Sequence, residues 1–186
     1  MGGNNAAGVR RASLLVGRWP DGAPLTVFPD DSPGRSSENE FSYFTNDQHG
    51  FHCPLGAHVR RANPRDTLAD EARGVNAEFA GARVRQHRLI RRGRVYTDGD
   101  ETGLMFGALN GSIEDQFEFV QHMYVNGTSF AGLNEEDDPL TGVRGTLTRQ
   151  CPFTPDRLTG LGQFVYTIGG AYLFIPGLKA LASLAS

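Results

Sequence analysis

The stretch that most constrains this chain runs from Phe51 to Arg65 and reads F-H-C-P-L-G-A-H-V-R-R-A-N-P-R. Pro54, Gly56 and Ala57 make a small-residue turn ahead of His58, and a basic run (Arg60, Arg61, Arg65) interrupted by the turn-shaping Asn63-Pro64 follows it. Small residues before a histidine let a flat ligand approach the backbone closely. Arginines just after it offer fork-shaped donors to carboxylates. A haem presents both needs, an iron that takes a neutral imidazole and two propionates that seek cations. A lone loop histidine is more often structural or solvated, so the spacing by itself leaves both readings open.

The run C-P-L-G-A-H-V-R-R-A-N-P-R resembles the haem-ligand signature of the dye-decolorizing peroxidases. Further segments match that family in the same order: V-G-R-W-P-D-G-A-P-L (16–25), R-L-I-R-R-G (88–93), G-L-M-F (103–106), S-I-E-D-Q-F-E-F-V-Q (112–121), D-P-L-T-G (138–142) and the tail G-G-A-Y-L-F-I-P-G-L (169–178). The likeness extends from about Val16 to Leu184 and covers the C-terminal half of the family pattern. It implies an α+β, ferredoxin-like domain over residues 16–186, one half of the family's dimeric α/β-barrel, after a flexible segment at 1–15. It implies haem b as cofactor, hydrogen peroxide and a bulky aromatic reductant as substrates, and His58 as the proximal iron ligand. Asp138 would orient His58, Arg91 would act above the iron, and Leu104 and Phe106 would wall the distal face.

Arg60 and Arg65 are the natural propionate partners. Read without the resemblance, 88–94 is a solvated basic strand face, Leu104 and Phe106 are core, and Asp138 is a loop acid. Arg88, Arg92 and Arg94 neighbour Arg91 closely enough to compete for its role. His52, Cys53 and His58 suggest an alternative zinc or copper site that lacks an evident fourth ligand. Trp19 and Tyr124 are candidate surface relays for electrons. One departure stands out: the family's G-x-x-D-G motif, whose Asp moves the peroxide proton, does not occur. The chain therefore reads as a truncated or split peroxidase whose activity is weak or completed by a partner chain or a second copy. The alternatives are a haem-binding module without peroxide chemistry and a cofactor-free assembly domain.

Local rules place the remaining elements. Ala12 to Gly17 carries an apolar helical face, and Trp19-Pro20-Asp21-Gly22 is turn chemistry. Phe41, Tyr43 and Phe44 anchor the turn-rich loop 29–50, and 66–74 reads as a polar helical turn. Residues 88–109 form an antiparallel pair around Thr97-Asp98-Gly99-Asp100. Ser112 caps a helix over 113–126 whose stripe is Ile113, Phe117, Val120 and Tyr124, and Asn126-Gly127 ends it. The loop-rich 127–162 includes acids at 135–138. Phe164 to Ile175 reads as a strand broken at Gly169-Gly170, and Pro176 opens a short helix. Strands and helices without βαβ alternation argue α+β.

A formal charge of −3 offers nothing to nucleic acid. The 24 glycines and 10 prolines predict long loops. Cys53 and Cys151 read as reduced thiols, with a single bridge between them left open. Gly17, Arg18, Pro20 and Asp21 interrupt the apolar run after Arg10-Arg11, and Pro176 and Lys179 interrupt the tail, so no membrane span is expected and the location reads as cytoplasmic, with export left open.

Overall fold

The computed structural model describes residues 6–34 and 37–184, so the expectation for residues 1–5 lies outside the described residues. The fold is α+β. Helix α1 (Ala6–Val16) buries Ser13, Leu14 and Leu15, so most of the segment read as flexible is helical and its apolar face belongs to the core. Gly17 ends it at φ +93°, where a Cβ would lie 2.5 Å from Val59 Cγ2; only a glycine allows that backbone and that approach.

Helix α2 (Tyr43–Asp47) is capped by the Ser42 hydroxyl accepting from Thr45 N. Asp66 fastens it by accepting from Tyr43 N at 2.8 Å and Phe44 N at 3.1 Å. Tyr43 is buried and Phe41 packs against it edge-on, 5.2 Å between centroids. The aromatic anchoring of the loop is thus realised. Helix α3 (His58–Ala62) is a little over one turn, because Pro64 forbids helical geometry at Asn63. The 66–74 region closes on a single tight turn at Glu71–Arg73, and α4 (Ala77–Gln86) follows under an Asn76 cap.

Strands β1 (Ile90–Asp98) and β2 (Glu101–Leu109) form the expected hairpin, with Asp98 opposite Glu101 and Ile90 opposite Leu109. Nearly all their residues are exposed. The helix over 113–126 forms as Glu114–Glu118 and Val120–Val125, joined through helical backbone at Phe119. Its turns are wide: Glu118 N donates to Ile113 O and Asn126 N to Gln121 O, each five residues back. Ser112 caps it by accepting from Asp115 N at 3.1 Å. The extra residue per turn rotates the stripe, so Val120, Tyr124 and Val125 are buried while Ile113 and Phe117 are only partly covered.

Strands β3 (Leu147–Arg149) and β4 (Asp156–Leu158) make a second antiparallel pair, separate from the first. The strand expected over 164–175 does not form. Its residues have no regular secondary structure and no ladder partner among the described residues, and Ile168, Leu173 and Phe174 are each more than 80% exposed. Helix α5 (Leu178–Leu184) closes the chain. No described helix is long and apolar enough to cross a membrane. The core has two clusters, one around Leu14, Leu25, Tyr43 and Leu147, the other around Val84, Val120, Tyr124 and Phe130. The turn before α3 joins them, since Ala57 belongs to the first and Leu55 packs on the second.

Candidate functional site

His58 opens α3, and its Nδ1 lies 2.9 Å from Asp138 Oδ2. The imidazole side chain is 33% exposed and the carboxylate 0%. Asp138 Oδ1 accepts from Leu140 N at 2.9 Å, Thr141 N at 3.0 Å and the Thr141 hydroxyl at 3.1 Å. This is why D-P-L-T folds into a tight turn: aspartate satisfies the backbone two and three residues on. Burial works to raise the Asp138 pKa, but the hydrogen bond and charge of His58 and the two amides outweigh it, holding the carboxyl below its usual range.

An ionised carboxylate can only accept, so His58 Nδ1 carries a proton, and in the neutral imidazole that leaves the lone pair on Nε2. That tautomer, fixed by an anion, is what a strong imidazole metal ligand requires. Asp138 is therefore no idle loop acid. It and its neighbours Glu136 and Asp137 are all buried, where the sequence shows only an acidic cluster in a loop.

Glu136 was not foreseen. Its Oε2 accepts from Thr148 N at 2.7 Å, while Oε1 is buried without a hydrogen-bond partner among the described residues and abuts Gly56 so closely that a Cβ there would have to displace it. Desolvation pushes its pKa up. A side chain at position 56 would thus have to displace a buried acid eighty residues away in sequence, a constraint no local pattern signals.

Arg60 corrects an expectation. It is fully buried and hydrogen-bonds Thr67 Oγ1 (3.0 Å), Asp47 Oδ2 (3.3 Å), Cys53 O (2.8 Å) and Asp47 O (2.9 Å), stacked 4.3 Å from the Tyr43 ring. Those contacts use its donors internally, so it holds the loop before α3 together and has none to offer a propionate. Arg65 is half-buried, donates to Phe41 O at 3.1 Å and Asn39 Oδ1 at 2.8 Å, and lies 4.0 Å from the Phe41 ring centre. Of the two arginines expected to bind propionates, it retains exposure.

The hairpin register sorts the arginines of β1. Arg91 faces Ala108, Val95 faces Leu104, and Gly93 faces Phe106, and alternate residues share a side. Arg91 therefore lies on the same face as Val95, Leu104 and Phe106, whereas Arg92 and Arg94 lie on the other. Leu104 and Phe106 are 62% and 46% exposed, so they wall open space and are not core. Phe106 reaches the wide helix through Phe117, 6.2 Å between ring centres.

Two further expectations are corrected. Trp19 and Tyr124 are buried, at 8% and 7% exposure, and cannot serve as surface relays. Among the described residues no three His, Cys, Asp or Glu side chains converge as metal ligands. Cys53 faces inward, its Sγ 3.9 Å from Gly17 O, with burial pushing the thiol up to about 12, so the zinc or copper alternative has no ligand set. Cys53 and Cys151 are both free thiols. One open cleft is lined by Arg10, Trp19 and Asp31 and another by Phe51, Leu68 and Cys151. Neither borders His58 or the hairpin.

No protein-family model matches the chain. Known proteins do. The multifunctional dye peroxidase DyP2 of Amycolatopsis sp. is 31% identical over 94% of this chain and 41% of its own length. A dye-decolorizing peroxidase of Exidia glandulosa is 31% identical over 92% of this chain and 38% of its own length. The solved structure of Amycolatopsis DyP2 superposes with a TM-score of 0.67 at 28% identity, covering 83% of this chain and 37% of that one. A DyP-type peroxidase of Anabaena sp. superposes with a TM-score of 0.66 at 28% identity, covering 82% and 34%. The chain thus spans about two fifths of the length of the curated relatives it matches.

Proposed function

Because the chain is a relative of the dye-decolorizing peroxidases over nearly all of its length, we propose that it is the haem-holding part of a peroxidase acting on hydrogen peroxide and bulky aromatic donors. The observation that carries this reading is the His58–Asp138 pair at 2.9 Å, a partly exposed imidazole held by a buried carboxylate. Haem b, when bound, supplies the redox iron that cleaves peroxide and accepts electrons from the donor. His58 Nε2 would ligate that iron, and Asp138 retains the proton on Nδ1, raising ligand basicity. Arg65 would meet a propionate.

Arg91 would contribute a fixed positive charge that favours peroxide as its anion and stabilises charge as the O–O bond parts. Leu104, Phe106 and Val95, exposed on the same face, would exclude bulk water beside it once a haem covers them. No residue of this chain is assigned the proton transfer that G-x-x-D-G performs in the family, a contribution of about 10²–10⁴-fold. A second reading is a haem-binding module without peroxide chemistry. The exposed hairpin and tail support association with a second copy or another chain, which light scattering checks: a monodisperse monomer counts against it.

Titrating the purified protein with haem should produce a Soret band that His58→Ala shifts or abolishes. An unchanged spectrum in that variant removes the ligand assignment. Turnover of peroxide with a bulky dye then separates the peroxidase from the binding module.

A further inference from the structure

Arg61, which the proposed chemistry leaves without a task, is fully buried. Among the described residues its hydrogen-bond acceptors are all backbone carbonyls, and they come from three separate segments. Nε donates to Gly56 O at 3.2 Å, in the turn before His58. One terminal nitrogen donates to Tyr124 O at 2.9 Å, Val125 O at 3.4 Å and Gly127 O at 2.9 Å, at the end of the wide helix. The other donates to Glu136 O at 2.6 Å, two residues before Asp138. The Phe130 ring lies 5.2 Å from the guanidinium carbon. Helix ends leave carbonyls without partners, and here one side chain satisfies them while reaching the acidic loop. That loop is tied to the same helix end by Asp138 N donating to Val125 O at 3.0 Å.

We infer that Arg61 is a positioning residue: its guanidinium clamps the Asp138 loop and the His58 turn to one helix end and so sets the hydrogen bond between carboxylate and imidazole. The task needs a planar group with five donors in a rigid fork. A lysine, whose three donors share one nitrogen, cannot bridge three segments.

The test is Arg61→Lys in the full chain, with folding checked by circular dichroism. Its first readout is the His58 Nδ1–H proton resonance of the haem-free protein, which reports the clamp directly. The wild type should show this resonance and Arg61→Lys should lose it, with haem binding weakened by at least about tenfold, the scale of losing a metal ligand's orienting partner. A folded Arg61→Lys that keeps the resonance and the wild-type haem affinity overturns the inference, as does a wild type that lacks the resonance. Should Arg61→Lys not fold, Phe130→Leu decides, because it removes the supporting ring and keeps every donor. Faster exchange of the Nδ1–H proton with water is expected, and unchanged exchange refutes the clamp. The affinity readout rests on the haem reading. If the wild type binds no haem that reading fails, and the resonance still decides the role of Arg61.

Discussion

Replacing Asp138 by asparagine changes one charge and almost no volume, and the structure says which bonds survive. The side-chain oxygen can still accept from Leu140 N and Thr141 N, now at 2.9 and 3.0 Å, so the turn persists. The group then facing His58 Nδ1 is an NH2 donor. Two donors cannot face each other, so the imidazole moves its proton to Nε2 and buries the lone pair inward. The outward nitrogen can no longer ligate iron without reversing that choice. Loss of an orienting carboxylate typically costs about 10–100-fold in metal affinity, which is about 1.4–2.7 kcal/mol. The larger value is expected here, because Asp138 is fully buried and no water replaces it.

Fold stability should fall less. A hydrogen bond to a charged group is worth about 1.5–3 kcal/mol, and the imidazole's 33% exposure screens it toward the lower end. Haem titration followed at the Soret band measures the first quantity and urea denaturation the second. Asp138→Asn binding haem with wild-type affinity and spectrum would refute the tautomer argument and with it the role of the pair. The pH dependence has a definite sign. The folded-state pKa of Asp138 is depressed, so its contribution is complete above the unfolded value of about 3.9. It is lost as pH falls through the lower folded value, and the asparagine variant should lack that acid limb.

Arg60→Met should destabilise without acting on the iron ligand. It strands the Asp47 carboxylate, whose side chain is 2% exposed, at a cost near the lower end of about 3–5 kcal/mol, because His52 N and Cys53 N still donate to it; a urea midpoint equal to wild type contradicts this. Glu136→Gln should be neutral or stabilising at pH 7, since burial raises the acid's pKa and wild type loses stability as pH rises through the unfolded value of about 4.3. Stability curves measured from pH 4 upward should converge at the acid end and separate above it. Arg91→Ala should cut peroxide turnover by about 10²–10³-fold, whereas Arg92→Ala, on the opposite hairpin face, should leave kcat/KM near wild type; equal losses would mean the face assignment is wrong.

Local chemistry alone accounts for much of this chain. Ser112 with Asp115 three residues on sets a helix start, Pro64 ends α3, Thr97 to Asp100 turns a hairpin, and Asp138-Pro139-Leu140-Thr141 folds about its own carboxylate, because each depends on neighbours within a few residues. Tertiary structure decided what those rules leave open. It brought His58 to a carboxylate 80 residues away. It widened the helix that sequence periodicity draws as ordinary, and it left 164–175 without a strand partner among the described residues. It also gave the arginines at 60, 61 and 65 different fates. In sequence they are interchangeable cations beside a histidine. Folded, the first two are spent on distant carbonyls and one buried carboxylate while the third keeps exposure, because the burial of a guanidinium depends on which acceptors the rest of the chain carries to it.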